Sequence, residues 1–133
     1  MTKCMVTKTG NSKLKLFLDL ISGLIIDLYF RYAYGWIEVD YWRQTLIKKD
    51  LEDLNNYSTW FKESHYPGEM YFISNPFGVD EDDGVLITLV FDGVREQSYV
   101  MLLDGQTFEE INISYLPHNV PFSFHGNWFP ELH

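Results

Sequence analysis

The stretch that decides the fold is Val85-Leu86-Ile87-Thr88-Leu89-Val90-Phe91-Asp92-Gly93. It is apolar at nearly every position, and the Asp92-Gly93 dipeptide at its end is a common turn sequence. A short apolar run that stops at a turn is typical of a strand, and its lack of alternation predicts burial on both faces of a sheet. We therefore predict a central strand over residues 85–91.

Three further strands are predicted around this one, at residues 70–74, 98–103 and 111–115. The last of them rests on the alternation of Ile111, Ile113 and Tyr115, and Asp104-Gly105 supplies the turn before it. Four consecutive antiparallel strands joined by short turns form one blade of a β-propeller. A two-layer sandwich has the same periods, so the strand pattern alone leaves both architectures open.

The remainder of the chain divides at residue 30. In residues 1–30, several lysines precede an apolar run that superficially resembles a signal peptide. Asp19 and Asp27 interrupt this run, which is also shorter than the roughly 20 residues of a membrane span, so we expect a short helical leader that neither spans a membrane nor directs secretion. Whether this leader belongs to the fold stays open. Residues 31–133 form the second part, with upstream strands predicted at 32–37, continuing at 41–42, and at 46–51 and 58–61.

Composition excludes several classes of partner. The chain has 133 residues, enough for one domain with a hydrophobic core. Its 10 Lys and Arg against 19 Asp and Glu give a net charge of -9, and a nucleic-acid partner would need a basic face instead. The same charge disfavours an electrostatic grip on anionic lipid. Cys4 is the only cysteine, so no disulfide can form within the chain, and we expect a cytoplasmic location.

His125 has the most distinctive surroundings of any polar residue. Its neighbours are Phe122 and Phe124 before it, Gly126 directly behind it, and Trp128 and Phe129 beyond. One interpretation is a core imidazole whose ring nitrogens bond to backbone groups or water. The other is a neutral imidazole that binds a metal ion in a dry pocket, where Gly126 allows another backbone to approach closely. A single histidine without a ligand partner at a recognised spacing favours the first interpretation.

Three motifs, taken together, change this balance. The first is His65-Tyr66-Pro67-Gly68-Glu69-Met70-Tyr71-Phe72-Ile73, followed by Asn75-Pro76 and by Glu81-Asp82-Asp83-Gly84-Val85-Leu86. The second is Leu102-Leu103-Asp104-Gly105-Gln106-Thr107-Phe108-Glu109-Glu110, and the third joins Phe124-His125-Gly126 to Phe129-Pro130-Glu131-Leu132. In this order they resemble the C-terminal part of the carotenoid cleavage oxygenases, the family of the β-carotene dioxygenases and the retinoid isomerohydrolase. The resemblance runs from about residue 31 to the end.

The resemblance implies an all-β fold that is part of a seven-bladed β-propeller. The chain would form about the last two blades and the start of the closing one, behind the helical leader. Such propellers hold one Fe2+ ion on their axis with four histidines, three of which are oriented by glutamates. His125 matches the last of the four histidines and Glu69 matches a second-shell glutamate, which we expect to accept a hydrogen bond from the His125 ring N–H. The remaining ligands then lie outside this chain.

Spacing agrees with this assignment, although some residues depart from the family pattern. The interval from Glu69 to His125 slightly exceeds the roughly 40–50 residues of one propeller blade, so the two side chains could reach the axis from neighbouring blades.

Met70 stands where the family usually has proline, and Gly68 replaces a more usual serine, which predicts a freer backbone around Glu69. His65, His118 and His133 match no ligand position; we expect the first two at the surface and the last frayed at the terminus.

Three functions follow as hypotheses. The first is the C-terminal portion of a dioxygenase that uses O2 to split a conjugated double bond of a carotenoid into apocarotenoid or retinal aldehydes, the portion itself being inactive. The second is a family member that isomerises a retinoid and cleaves its ester. In either case the full-length parent could contact a membrane peripherally. The third is a truncated, non-catalytic β-rich product whose unpaired strand edges cause self-association. A metallohydrolase site built from His118, His125 and Glu131 contains no ligand pair with a recognised spacing.

Overall fold

The computed structural model describes residues 31–40 and 43–121, and every regular element in this part of the chain is a β-strand. One sheet contains β1 (Tyr32–Asp40), β2 (Arg43–Asp50) and β3 (Tyr57–Trp60), and the other contains β4 (His65–Ser74), β5 (Gly84–Asp92), β6 (Gln97–Asp104) and β7 (Glu110–Tyr115). Each strand pairs antiparallel with the next one along the chain. In these two ranges no helix is long and apolar enough to cross a membrane.

The all-β prediction is confirmed for the described residues. The four predicted strands, including the central one at residues 85–91, are β4 to β7 in the predicted order. The turns before β6 and β7 are short, whereas a longer loop over residues 75–83 joins β4 to β5. The upstream strands are confirmed as β1 to β3. The helical leader at residues 1–30 and the strand continuation at Tyr41 and Trp42 lie outside the described residues. The division at residue 30 therefore stays a prediction.

The hydrophobic core lies between the two sheets. The first sheet contributes Tyr34, Leu46 and Trp60, and the second contributes Met70, Phe72, Leu86, Val90, Tyr99, Met101 and Leu103. The rings of Tyr34 and Phe72 stack across the interface with centroids 5.5 Å apart and planes 11° from parallel. Burial of each large side chain contributes roughly 1.5–3 kcal/mol, which makes this interface the main source of stability.

The prediction that β5 is buried on both faces is wrong for one of them. Leu86, Thr88 and Val90 are buried against the first sheet, whereas the side chains between them are only half-buried. The first sheet can cover one face only, because side chains alternate along a strand. The apolar residues on the other face, Ile87 and Leu89 among them, have partial cover.

Three strands end in an aspartate that closes the following turn. The Oδ1 atoms of Asp50, Asp92 and Asp104 each accept hydrogen bonds from the backbone N–H groups two and three residues further on, at 2.8 to 3.3 Å. This pairing satisfies N–H groups that the sheet ladder leaves free. It favours the ionised carboxylate, since an anion accepts stronger hydrogen bonds than a neutral acid.

The pKa values of these carboxyl groups are lowered accordingly. A side-chain hydrogen bond from Arg31 holds the pKa of Asp50 at about 2, against the opposing effect of burial. The N–H of Thr107 leads the causes that lower the pKa of Asp104. At Asp92 burial acts to raise the pKa, but the N–H of Arg95 and the hydroxyl of Tyr115 outweigh it, and the pKa is lowered.

We expect the free energy of unfolding to fall as the pH decreases from about 4 towards 2. A carboxyl group whose pKa is lower in the folded chain stabilises the fold above its unfolded pKa of roughly 3.9, and this contribution is lost as the pH falls through the folded value. Urea unfolding at a series of pH values measures the effect. The Asp50→Asn variant should show a shallower acid dependence, and Glu109→Gln, at an exposed position, controls for the loss of one negative charge. An unchanged slope in Asp50→Asn would contradict the assignment.

Candidate functional site

Glu69, predicted to orient a metal-bound histidine, lies in an irregular part of β4. Pro67 pairs with Val90 and Met70 pairs with Thr88, so Gly68 and Glu69 together face the single residue Leu89. Two residues opposite one define a β-bulge, which kinks the strand and changes the direction of its side chains. Glu69 is therefore placed by a local deformation rather than by the regular pleat.

The bulge keeps the core face of β4 continuous. Pro67 is buried before it, and Met70 and Phe72 are buried after it. Positions 67 and 70 would face opposite sides of a regular strand, so the extra residue is what returns Met70 to the core. Glu69, within the bulge, is half-buried.

A hydrogen bond fixes the bulge from the neighbouring strand. The hydroxyl of Thr88 on β5 donates to the carbonyl oxygen of Gly68 at 3.1 Å. Met70, expected to loosen the backbone next to Glu69, is instead a core residue with 1% of its surface exposed. Both neighbours of Glu69 are thus held in place.

His125 lies outside the described residues, but the segment leading to it is described as far as Pro121. After β7 the chain is held against the start of β6 by hydrogen bonds with Ser98. The N–H of Leu116 donates to the Ser98 carbonyl at 2.9 Å, the N–H of Val120 donates to the Ser98 hydroxyl at 3.1 Å, and the Ser98 N–H donates to the side chain of Asn119 at 3.0 Å. In an antiparallel sheet, β6 begins at the same end as β4.

The described part of the chain ends near the end of the sheet at which β4 begins. Neighbouring strands lie about 4.8 Å apart, so the start of β6 is roughly 10 Å from the start of β4. Residues 121–125 can extend by about 3.3–3.6 Å each, which covers that distance and part of the length of β4. A contact between His125 and Glu69 is compatible with this geometry and stays a prediction.

Two other histidines were expected at the surface. His118 is exposed, as predicted. The prediction for His65 is wrong, because only 7% of this residue is exposed. His65 is the first residue of β4 and pairs with Asp92, so the sheet register carries it inward. His133 lies outside the described residues.

The buried His65 faces a carboxylate. Its Nδ1 lies 2.8 Å from the carbonyl oxygen of Glu63, which can only accept, so Nδ1 carries a hydrogen. Its Nε2 lies 3.5 Å from Asp92 Oδ2 and makes no hydrogen bond. The hydroxyl of Tyr115 donates to the same Oδ2 at 2.8 Å. A histidine, a carboxylate and a phenol thus meet where β4, β5 and β7 come together.

Sequence reasoning missed a buried ion pair between the sheets. Lys48 Nζ on β2 lies 2.6 Å from Asp82 Oδ2, and both side chains are less than one-tenth exposed. The same ammonium donates to the carbonyl oxygens of Gly105 at 2.7 Å and Gln106 at 2.9 Å. The available signal was the alternation of β2, which places Lys48 on the same face as Leu46.

A small polar cavity lies beside this ion pair. Its volume is about 110 Å³, and its lining includes Tyr32, Lys48, Asp50, Tyr57, Asp82 and Gln106. A polar lining of this kind suits water or small ions and does not suit an apolar ligand. The cavity therefore belongs to the interface between the sheets.

The described residues contain no complete metal site. In residues 31–40 and 43–121, no group of three or more His, Cys, Asp or Glu side chains is arranged to hold a metal ion. Glu69 is a carboxylate that could orient a ligand, and a ligand set would have to come from elsewhere. The donor set of this part of the chain does not fit a metal ion by itself.

The fold and the sequence agree with one family of proteins. The model of the family described as retinal pigment epithelial membrane protein matches residues 28–130. The chain belongs to this family, which includes the carotenoid cleavage oxygenases, and the resemblance inferred from the three motifs is confirmed.

Named relatives of the chain are dioxygenases. It is 38% identical over 101 residues to carotenoid cleavage dioxygenase 8 homolog A, chloroplastic, of Oryza sativa subsp. japonica, covering 76% of this chain and 18% of that protein. It is 36% identical over 85 residues to the torulene dioxygenase of Fusarium fujikuroi, covering 64% of this chain and 15% of that protein. The family is therefore one of enzymes, and the chain spans less than a fifth of the length of these curated relatives.

Solved structures agree with the fold. A variant of the Synechocystis apocarotenoid oxygenase matches with a TM-score of 0.72 and 27% identity, covering 80% of this chain and 23% of that chain. The cobalt-substituted form of the same enzyme matches with a TM-score of 0.70 and 26% identity over the same shares. The matched structures belong to β-propeller enzymes, and the number of blades to which this chain contributes stays a prediction.

We expect Lys48→Met to destabilise the fold by about 3–5 kcal/mol, since it leaves Asp82 buried without a counter-charge. The matched control is Lys49→Met, one position along β2 on the less buried face. The double variant Lys48→Met/Asp82→Leu should lose less than Lys48→Met alone. Denaturant unfolding measures all three variants, and equal losses for Lys48→Met and Lys49→Met would contradict the buried pair.

Proposed function

We propose that this chain is the C-terminal part of a non-haem iron carotenoid cleavage dioxygenase. Its reaction splits a conjugated double bond of a carotenoid with O2 and gives two apocarotenoid or retinal aldehydes. The observation that supports the proposal is the bulge at Gly68 and Glu69, which places the matching glutamate, half-buried, at a deformation of β4. Family membership supplies the class of reaction.

His125 and Glu69 have distinct roles in this proposal. His125 is a ligand of the ferrous ion, and Glu69 accepts a hydrogen bond from the other ring nitrogen. A metal-binding imidazole must be neutral and held in one tautomer, and a carboxylate on its far nitrogen does both. The iron, when bound, supplies the activation of O2. In this proposal the bulge restricts the backbone at Glu69, which would help to keep its carboxylate in one orientation.

The remaining ligands belong to the rest of the protein. The chain covers 18% of the Oryza dioxygenase and 23% of the Synechocystis enzyme, so most of a complete site lies elsewhere in proteins of that length. One imidazole cannot retain a ferrous ion against water and buffer. We therefore propose that the 133-residue chain alone neither holds iron nor turns over substrate.

The test uses the full-length protein that contains this chain. His125→Ala should lose bound iron and cleavage together, whereas Glu69→Gln should lower iron affinity about 10–100-fold with the fold retained. His118→Ala, at an exposed histidine, is the matched control and should keep both properties. Iron is measured by elemental analysis and products by chromatography with mass detection. Retention of iron in His125→Ala, or cleavage of β-carotene by the isolated chain with added Fe(II), would overturn the proposal.

The same products separate the two reactions of the family. Aldehydes require oxidative cleavage, whereas an isomerohydrolase releases a retinol isomer from a retinyl ester. Apocarotenoid and retinyl ester substrates should therefore be offered in parallel. A retinol isomer without aldehydes would favour the isomerohydrolase alternative.

One observation favours a second candidate function, a non-catalytic product that self-associates. Among the described residues, β7 pairs only with β6, and its side chains are exposed almost throughout. Ile111 and Ile113 are 53% and 37% exposed on this strand. A free strand edge with apolar side chains is a template for pairing with another chain.

We expect the purified chain to self-associate through β7, and Ile111→Lys/Ile113→Lys to shift it towards the monomer, because charges on an edge strand oppose pairing. Val94→Lys, at a 75% exposed turn position, is the control and should not change the distribution. Sedimentation velocity over a concentration series measures this. A wild-type chain that remains monomeric at all concentrations would exclude this candidate.

We also propose a cytoplasmic location, on the ground that one cysteine permits no disulfide within the chain. Cell fractionation tests it. Recovery of the full-length protein with membranes, and its release by salt or carbonate, would indicate peripheral membrane contact.

A further inference from the structure

We propose that His65, Asp92 and Tyr115 form a protonation-dependent clasp that closes when His65 Nε2 takes up a proton, and that this clasp positions the strand carrying Glu69 relative to the strand leading to His125. The role in positioning rests on the proposed function. The clasp itself does not, since it is a property of the sheet.

The geometry leaves Nε2 of His65 with one available partner. Nδ1 is committed as a donor to the carbonyl oxygen of Glu63 at 2.8 Å. In the neutral ring, Nε2 therefore presents a lone pair to Asp92 Oδ2 at 3.5 Å, in a site from which water is excluded. Two acceptors that face each other in a buried site repel. In the imidazolium, Nε2 carries a hydrogen and can close on Oδ2 to the roughly 2.8 Å of a charge-assisted hydrogen bond.

The groups around His65 keep a constant charge at mildly acidic pH, so a proton taken up at this site would reside on the imidazole. Among the described residues, the imidazole contacts Asp92 on β5 and Tyr99 on β6. Asp92 in turn accepts a hydrogen bond from Tyr115 on β7 and lies near Arg95. Burial raises the pKa of Tyr99, and the hydrogen bond to Asp92 raises the pKa of Tyr115, so both phenols stay neutral. The pKa of Asp92 is lowered, so this carboxylate stays ionised at mildly acidic pH.

Arg95 competes only weakly for the same carboxylate. Its Nε lies 3.9 Å from Asp92 Oδ2, and 64% of its side chain is exposed. A solvated guanidinium at this distance is screened by water, whereas the imidazole is buried. The buried atom without a hydrogen-bond partner is therefore His65 Nε2, and a proton on it would let it donate to Asp92.

The clasp joins the strands that matter for the proposed site. His65 begins β4, which carries Glu69, and Tyr115 ends β7, from which the chain continues towards His125. Asp92 lies between them at the end of β5 and contacts both. A hydrogen bond from His65 Nε2 to Asp92 would therefore tie the start of β4 to the end of β5. Residues 116–121 are held at this same end of the sheet.

The test is a double-mutant cycle on the full 133-residue chain. The variants are His65→Gln, Asp92→Asn and the double variant, unfolded with urea at pH values of about 5.5 and about 8. The coupling between the two positions, as a ratio of unfolding equilibrium constants, should be about tenfold larger at the lower pH. His118→Gln, at an exposed histidine, controls for histidine titration elsewhere. Equal coupling at both pH values would overturn the clasp.

NMR of the wild-type chain gives a second measurement that does not depend on the variants folding. The 15N signals of the His65 ring should show Nδ1 protonated throughout and Nε2 gaining a proton on acidification. The backbone amide of Glu69 should shift with the same midpoint. A ring that stays neutral down to pH about 5.5 would overturn the clasp, and a Glu69 amide that does not respond would overturn its role in positioning. Neither readout involves iron, so both are independent of the His125→Ala test.

Discussion

The relative position of the two sheets depends on one buried ammonium group. Apolar contacts such as the stack of Tyr34 on Phe72 hold the sheets together but fix no single register, because the hydrophobic effect has no direction. Lys48 Nζ does have direction: its three donors meet Asp82, the Gly105 carbonyl and the Gln106 carbonyl at 2.6, 2.7 and 2.9 Å. A buried charge is tolerated only when it is paired and fully hydrogen-bonded, so one arrangement of β2 against the second sheet satisfies this group and displaced arrangements do not.

The acidic stretch before β5 follows from the same constraint. Glu81 accepts the backbone N–H groups of Arg31 and Tyr32 at the start of β1, and Asp82 accepts the Lys48 ammonium. A Cβ atom on Gly105 would lie 2.4 Å from the carbonyl oxygen of Asp82, so this turn passes too close to the acidic stretch for any other residue. Two carboxylates of this acidic stretch, Glu81 and Asp82, therefore join the sheets. The close approach of Asp82 to the Asp104-Gly105 turn requires glycine at position 105.

Sequence periodicity was sufficient for the strands and insufficient for the site. The strands β4 to β7 were predictable because apolar runs and turn dipeptides are local signals, and Glu69 was found only through a family resemblance. The bulge that directs Glu69 was not predictable, since a bulge is a property of register between two strands. His65 was misplaced for the same reason: the residue follows a turn in the chain, but its pairing with Asp92 buries it. The ion pair of Lys48 was not predictable because its partner Asp82 lies in the loop between β4 and β5, far away in the sequence.

The bulge lies on an edge strand, and this position explains why the sheet tolerates it. In the described part of the chain, β4 is an edge strand of the second sheet and forms a ladder with β5 alone. An extra residue there interrupts one ladder, whereas in an interior strand it would interrupt two. The Thr88 hydroxyl on β5 donates to the Gly68 carbonyl and so ties the bulge to its neighbouring strand. The ladder between β5 and β6 keeps its register throughout, so the deformation is confined to the ladder of β4 with β5.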